Sequence, residues 1–387
     1  MGRYLYKKDQ EKLKLNSLKT AIVHDWFAGY AGSERVVESF TNIWNEAHVY
    51  VLFNFLNDEE RKIIVKDNPL HTSFLQKIVS KKNYRNFLTF FPSAVEKFNL
   101  SGYDLIISSS HAVAKGARTR GDQLHICYCH TPIRYVWDLR DQYLNQAELG
   151  TGIKGWAANK ILNRIKKWDL KTKDNPDYYI ANSRYIADRI RRIYNRDAEV
   201  IYPPVDTVKF KFEPLKENYY LTASRFVPYK KIGLIAEAFT NMPDKKLIIA
   251  GEGPEEKKIK SKSGKNIEFA GYKTSGELSK LMQKARAFVF AAEEDFGIVV
   301  IEALSCGTPV IAFNRGGSAE TVINNKHGIL FDEQTPASVA EAVKLFEKNE
   351  VKFDSKDLSN YAENFSRGIF EDRIRRFIEK KSAEFFK

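Results

Sequence analysis

The chain has 387 residues, of which 43% are hydrophobic and 29% charged, so it is too long for one ordinary core and reads as a soluble, two-domain globular protein. No run is long enough to span a bilayer, and the N-terminus lacks an apolar signal core. Cys127, Cys129 and Cys306 are too few for a disulfide framework, and Cys127-Tyr-Cys129 lacks C-x-x-C spacing, so a reducing cytoplasm is the expected setting.

The formal net charge of +13 points to nucleic acid, an anionic membrane surface or an acidic substrate. No nucleic-acid motif accompanies it, and part of it is solvated lysine. Residues 1–19 are polar and Lys-rich and are expected to form an exposed extension. Thr20 to His24 reads as a first buried strand. It leads into Asp25-Trp-Phe-Ala-Gly29-Tyr-Ala-Gly32-Ser-Glu34, where glycines between strand and helix let backbone approach a phosphate or sugar. This is not the G-x-G-x-x-G fingerprint. Further strands are expected at His48 to Leu52, Asp104 to Ser108, Leu124 to Tyr128 and Tyr178 to Ala181, with helices between them. That alternation describes an α/β domain with a mostly parallel sheet.

The stretch Lys77 to Pro92 mixes cations with large apolar residues. It fits either an interfacial element that meets anionic lipid or a helix with its aromatic face on the sheet. Two strand ends place polar groups at the edge of the sheet. One is Ser108-Ser-Ser-His111 and the other is His130-Thr-Pro-Ile-Arg134-Tyr135-Val-Trp137-Asp138. His130, directly after a buried strand and ahead of Pro132, is the better candidate for chemistry, although a lone loop histidine can equally be structural. Ile153 to Lys173 reads as a long basic helix with Trp156, Ile161, Ile165 and Trp168 near one face, packed on the core. Pro203-Pro204 forbid helix and suit an interdomain connector.

The second half opens on the strand Tyr219 to Ala223, then Arg225-Phe-Val-Pro-Tyr-Lys230 and a helix from Ile232 to Phe239. Two fixed cations at a strand end beside a helix start suit a diphosphate. Leu247 to Ala250 runs into the turn Gly251-Glu-Gly253, and Ile267 to Lys273 is a strand that carries Tyr272 at its end. Ala287 to Phe290 is a buried strand that feeds Glu293-Glu294-Asp295. Phe296-Gly297 then opens an apolar helix that stops at Gly307, and Val310 to Ala312 resumes as strand. Glu294 lies beyond a strand's C-terminal end, where open α/β sheets bind ligands. Glu302 lies further along the helix, and the amides near Gly297, Ile298 and Val299 make an anion site between the two. A diphosphate flanked by hydroxyl-rich rings suits this spacing, as in a nucleotide sugar. Spacing alone equally allows Glu302 to be an exposed helix acid and Glu294 a helix-start acid favoured by the macrodipole.

The run Glu294-Asp-Phe-Gly-Ile, with Glu302-Ala-Leu-Ser-Cys-Gly-Thr-Pro-Val-Ile, resembles the E-x7-E signature of retaining glycosyltransferases, family 4 in particular. The resemblance covers about residues 20–387. It implies the GT-B fold: two Rossmann-like domains facing across a cleft (20–204 and 205–364), with a C-terminal helix, 365–387, crossing back to the first. Arg225 and Lys230 match the family's R-x4-K phosphate pair. They would stabilise charge on the departing diphosphate without a metal, in keeping with the lack of a D-x-D motif. His130 would contact the donor sugar at the reacting centre, with Glu294 beside it. Gly32 stands in the family's glycine loop, where Ala31-Gly32 replaces the usual glycine pair. Gly251, Phe296, Gly297, Ile298, Val299 and Glu302 complete the donor site, and the backbone near Tyr272 resembles the base-binding edge. Gly316-Gly317 is similar to a glycine pair that closes over the donor.

The H-T-P-x-R-Y-x-W-D run is similar to a branch rich in mannosyltransferases of bacterial surface polysaccharides, lipopolysaccharide among them. It makes Arg134, Tyr135, Trp137 and Asp138 acceptor-side candidates. The resemblance therefore implies transfer of a hexose, foremost mannose from GDP-mannose, to a glycan or lipid-linked glycan at the inner face of the plasma membrane. No cofactor and no nucleic acid are expected. A UDP-sugar donor, a nucleotide-sugar epimerase and a basic nucleic-acid-binding protein are the rival readings.

Overall fold

A computed structural model describes residues 18–138, 140 and 152–387, and most of the N-terminal extension lies outside the described residues. The chain divides into two units, Met1–Tyr202 with Phe370–Lys387, and Pro203–Ile369. These boundaries sit a few residues from the expected 204 and 364.

The first unit is built on seven strands: β1 (Thr20–His24), β2 (His48–Val51), β3 (Leu70–Thr72), β4 (Leu105–Ser110), β5 (Leu124–Cys129), β6 (Tyr178–Ala181) and β7 (Ala198–Val200). Their order is β3-β2-β1-β4-β5-β6-β7, with every neighbouring pair parallel. β1, β4 and β5 are buried along their whole length, which is why they read as near-continuous apolar runs rather than alternating ones. β3 and β7 were not legible, because Leu-His-Thr and Ala-Glu-Val are short edge strands with polar residues. One face of the sheet packs Ile22, Ile107, Ile126 and Tyr128 against Val36 and Phe40. Phe370, Ile374 and Ile378, from the helix Arg367–Phe385, join the same cluster. Their spacing of four puts all three on one stripe of that helix. The other face buries Val23, Phe53, Phe91 and Ile106.

Two expectations are corrected here. Residues 77–92 are not one helix: they form 3-10 turns at Phe74–Lys77 and Tyr84–Phe90, and Phe91 opens the short helix Phe91–Val95. Proline is tolerated in a first helical turn and not inside a helix, so Pro92 fixes where that helix can begin. Phe91 is buried, whereas Phe90 and Ile78 are about half exposed, at 48% and 51%. The basic helix Gly152–Lys171 buries Leu162 and Ile165, but Trp156 is 66% exposed. Trp156 and Ile165 are nine residues apart, half a turn out of phase at 3.6 residues per turn, so one core-facing stripe cannot hold both.

The second unit has six strands: β8 (Tyr220–Ala223), β9 (Leu247–Ala250), β10 (Ile267–Gly271), β11 (Ala287–Phe290), β12 (Val310–Phe313) and β13 (Gly328–Phe331). The order is β10-β9-β8-β11-β12-β13, again all parallel. Ile249, Val289, Ile311 and Ile329 pack with Phe239 and Phe346 in its core. Strand order reverses between β1 and β4 in one unit and between β8 and β11 in the other. At such a switch point the connecting loops diverge and leave room for a ligand at the C-terminal strand ends.

His125 in β5 is fully buried, its Nε2 lies 2.8 Å from Ser108 Oγ, and burial pushes its pKa down to about 3. The unfolded chain, with an ordinary value of about 6.5, binds the proton first. Stability contributed by neutral His125 is therefore whole above that value. It is lost as pH falls toward the folded value, at up to about 1.4 kcal/mol per pH unit. Urea unfolding across this window should show a shallower acid loss for His125→Gln than for the wild type. Equal slopes would mean that His125 does not couple folding to pH.

Candidate active site

In the second unit, the loop after β8 carries Arg225 and Lys230, and the loop after β11 carries Glu294. The two loops flank the switch point. Arg225 is exposed and Lys230 half-buried. Lys230 Nζ and Glu294 Oε1 form a hydrogen-bonded ion pair. The pair holds a cation and a carboxylate where an anionic, hydroxyl-rich ligand could divide them.

Glycines set the shape of these loops by letting backbone touch backbone. Gly251 has φ +125°, and a Cβ there would overlap the Ser224 carbonyl. A Cβ at Gly253 would strike the Phe226 backbone, whose amide donates to Glu252 O at 2.9 Å. The Gly251 turn therefore braces the Arg225 loop. Gly316 and Gly317 do the same for the acidic loop: the Gly317 amide donates to Glu294 O at 2.8 Å, and a Cβ at Gly317 would meet the Phe296 backbone. The glycine pair expected to close over the donor also supports the Glu294 loop.

Gly297, with φ +81°, begins the helix Ile298–Ser305, which has no side-chain cap. Its first amides, at Ile298 and Val299, consequently lack partners within the helix. Phe296 is buried below them, and Glu302 is buried on the helix, which excludes the solvated-acid alternative for Glu302. Tyr272 is exposed beyond β10.

In the first unit the ends of β1, β4 and β5 gather His24, Asp25, Ser109, His111 and His130. Asp25 is fully buried. Its carboxylate accepts from the amides of His111 (2.6 Å), Ala112 (2.9 Å), Val113 (2.5 Å) and Ala114 (2.7 Å), and lies 3.0 Å from His111 Nδ1. It anchors the loop after β4 to the end of β1. His130 Nε2 lies 2.8 Å from Ser109 Oγ. Burial, together with His111 and His24 nearby, holds the pKa of His130 well below the usual range, so the ring is neutral near neutral pH. Gly32 opens the helix Gly32–Ile43 behind Ala31, and Glu34 accepts from the Ala31 amide at 3.1 Å. Burial raises the Glu34 pKa, but His24 and His111 outweigh it, and the net shift is downward.

Arg134, Tyr135 and Trp137 lie on the short helix Arg134–Trp137, and Asp138 follows it. Trp137 and Asp138 are tied into the unit itself. The Trp137 indole donates to Asp169 Oδ2 at 2.8 Å, and Asp138 pairs with Arg189. Fully buried Asp169 also accepts from Tyr194 and lies 3.1 Å from buried Lys115 Nζ. Reading the sequence missed His24, Asp25, Ser109 and Asp169. A charged residue directly after a buried strand marked Asp25, while nothing local marked Asp169. Among the described residues no group of three or more His, Cys, Asp or Glu could hold a metal.

The description Glycosyltransferase Family 4 matches residues 30–209, and Glycosyl transferases group 1 matches residues 206–365. An uncharacterized glycosyltransferase of Methanocaldococcus jannaschii is 30% identical over 181 residues, 46% of this chain and 51% of that protein. The GDP-mannose-dependent alpha-(1-6)-phosphatidylinositol monomannoside mannosyltransferase of Mycobacterium tuberculosis is 29% identical over 224 residues, 49% and 56% of the two chains. The chain thus spans about half the length of these curated relatives. Anabaena HepE, solved with UDP and glucose, superposes with a TM-score of 0.66 at 18% identity, covering 93% of this chain and 99% of that one. The fold is GT-B, and the chain belongs to glycosyltransferase family 4.

The brace under Glu294 can be tested directly. Gly317→Ala should lower stability by about 1–3 kcal/mol through overpacking. Gly276→Ala, at a helical position with nothing within 4 Å of the added Cβ, should be neutral or stabilising by up to about 1 kcal/mol. Urea unfolding of both variants checks the contrast.

Proposed function

We propose that the protein is a retaining glycosyltransferase that moves a hexose from a nucleotide sugar, foremost mannose from GDP-mannose, to a glycan or lipid-linked glycan. The Lys230–Glu294 pair at the second unit's switch point carries this reading. An incoming diphosphate offers Lys230 a stronger anion, and Arg225 adds a second cation. Glu294, released from Lys230, is then available to the sugar hydroxyls. As the bond from the anomeric carbon to the phosphate oxygen breaks, both cations stabilise the developing charge, and no metal is required for that task. The acceptor oxygen bonds to the same carbon on the same face, and its proton passes to the leaving phosphate. The amides of Ile298 and Val299 hold phosphate, Glu302 the ribose, and main chain near Tyr272 the base. His130 contacts the sugar. Arg134, Tyr135, Trp137 and Asp138 are the acceptor-side candidates, and Trp137 and Asp138 also brace the unit through Asp169 and Arg189.

The GDP-mannose assignment draws support from the His130 to Asp138 run and from the mycobacterial relative's name, against the UDP bound by HepE. Discriminating the bases takes one buried hydrogen bond, worth about 1–3 kcal/mol. GDP should then bind at least about tenfold tighter than UDP, and calorimetric preference for UDP would overturn mannose while leaving transfer intact. Glu294→Gln should raise the barrier by about 2–4 kcal/mol when sugar release from the donor is followed with and without acceptor. Normal turnover would remove Glu294 from the site. Turnover of donor alone to an epimer would favour an epimerase.

A lipid-linked acceptor calls for a lipid-facing surface, and the charge pattern of the first unit supports one there. Phe74–Phe91 and Gly152–Lys171 together hold ten Lys and Arg, and their one acid, Asp169, is buried. Thr89 and Trp156 line one depression with Lys160, Arg164 and Lys167, of about 730 Å³, and exposed Phe90 and Ile161 stand in the same stretches. Among the described residues no helix is long and apolar enough to cross a membrane. Such a surface suits peripheral attachment to an anionic bilayer, where each cation contributes about 1 kcal/mol. Flotation with vesicles containing phosphatidylserine should capture the protein at low salt, and Lys160→Gln/Arg164→Gln/Lys167→Gln should release it. Equal binding to neutral vesicles, or a preference for an oligonucleotide, would reject the lipid surface.

A further inference from the structure

A buried chain of hydrogen-bonding groups in the first unit ends on His130. His24 Nδ1 lies 3.1 Å from the Ser109 carbonyl oxygen and 3.1 Å from Ser109 Oγ, and Ser109 Oγ lies 2.8 Å from His130 Nε2. On the far side, His24 Nε2 is 3.7 Å from Glu34 Oε1. His24 and Ser109 are both fully buried, so no bulk water competes for these bonds.

The protons along this chain follow from which groups can accept. A carbonyl oxygen only accepts, so the contact with the Ser109 carbonyl requires a hydrogen on His24 Nδ1. The Ser109 hydroxyl oxygen faces that same N–H and turns its own hydrogen toward His130 Nε2. His130 Nε2 is then the acceptor, and a neutral ring must carry its hydrogen on Nδ1. Burial near His111 and His24 keeps the ring neutral. The groups facing the His130 ring are the rings of Tyr128 and His111, with centroids 5.1 and 6.3 Å away. Among the described residues no hydrogen bond to His130 Nδ1 is formed, and the residue is half-buried rather than sealed.

We infer that Ser109 and His24 are positioning residues that fix His130 as an Nδ1–H hydrogen-bond donor. Held this way, His130 gives a hydrogen bond to a ligand oxygen through Nδ1 and cannot remove a proton with that atom. The consequence for turnover rests on the reading of His130 as a sugar contact, while the tautomer is a property of the free protein.

The two can therefore be tested apart. The full chain, labelled with 15N-histidine, gives ring-nitrogen correlations that distinguish the tautomers, and His130→Asn identifies the His130 signals. The wild type should show the Nδ1–H form alone near neutral pH. Ser109→Ala should shift the ring toward the Nε2–H form, while Ser109→Thr, which keeps the hydroxyl, should restore Nδ1–H. His24→Asn, whose side-chain amide can still donate to the Ser109 carbonyl, should also preserve it. Unchanged signals from His48, His71, His125 and His327, which lie outside this chain of contacts, establish that each variant is folded. An Nε2–H or mixed form in the wild type, or a spectrum unmoved in Ser109→Ala, overturns the inference. Under donor turnover, Ser109→Ala should lower kcat by about tenfold, as loss of one positioned hydrogen bond would, with KM changed less. A shifted tautomer with unchanged kcat would uphold the positioning chain and remove His130 from the transfer reaction instead.

Discussion

Every neighbouring strand pair in both sheets is parallel. Parallel strands cannot be joined by tight hairpins, so each connection must cross a face of the sheet and return. That constraint has two effects. Helices cover both faces and bury the strands, and all strands deliver their C-terminal ends to one edge. Polar side chains excluded from the strand interiors collect there, in the loops at each switch point. The chemistry of this chain is where it is because the backbone leaves it no other well-exposed, well-supported edge.

Rigidity at that edge comes from buried acids in one unit and from glycines in the other. Asp25 gathers four consecutive amides that no helix of useful length satisfies, so one buried carboxylate ties the loop after β4 to the end of β1. Asp169 plays the corresponding part for the segment after β5, joining Trp137, Tyr194 and Lys115. Removing one partner from such a buried cluster leaves an uncompensated charge, which is far more damaging than losing a surface pair. The second unit uses close backbone contact instead, at Gly251, Gly253, Gly316 and Gly317. These glycines are needed by the protein's own loops, whatever ligand the loops receive.

The legible parts of the fold were those where burial writes itself into composition. β6 and β9 end where their apolar runs end, and β1 and β11 lie within a residue or two of theirs. β3 and β7 were silent because three-residue edge strands that include polar residues cannot establish a period. Spacing also placed Glu294, Lys230 and Arg225 on the correct loops, since each follows a strand that could be read. It could not show that Lys230 and Glu294 meet, because they lie 64 positions apart and only the order β8-β11 makes them neighbours. The same holds for the chain from His24 through Ser109 to His130, contributed by three strands whose adjacency is a property of the sheet. Trp156 misled because its ring suggested a core position, while helical phase turned it outward.

Phe370, Ile374 and Ile378 belong to the core of the first unit, although the whole second unit separates them from the rest of it. In chain order, the second unit is an insertion between the penultimate and last pieces of the first. Synthesis from the N-terminus therefore produces the seven-stranded sheet well before the residues that cover Phe40 and Tyr128 exist. Until about 170 further residues have been made, one face of that sheet carries an apolar groove with no helix of its own to fill it. Vectorial folding can complete the second unit early but must leave the first open to the end. A truncation that removes only the last helix would thus expose the interior of the unit that begins the chain, with aggregation as the expected fate.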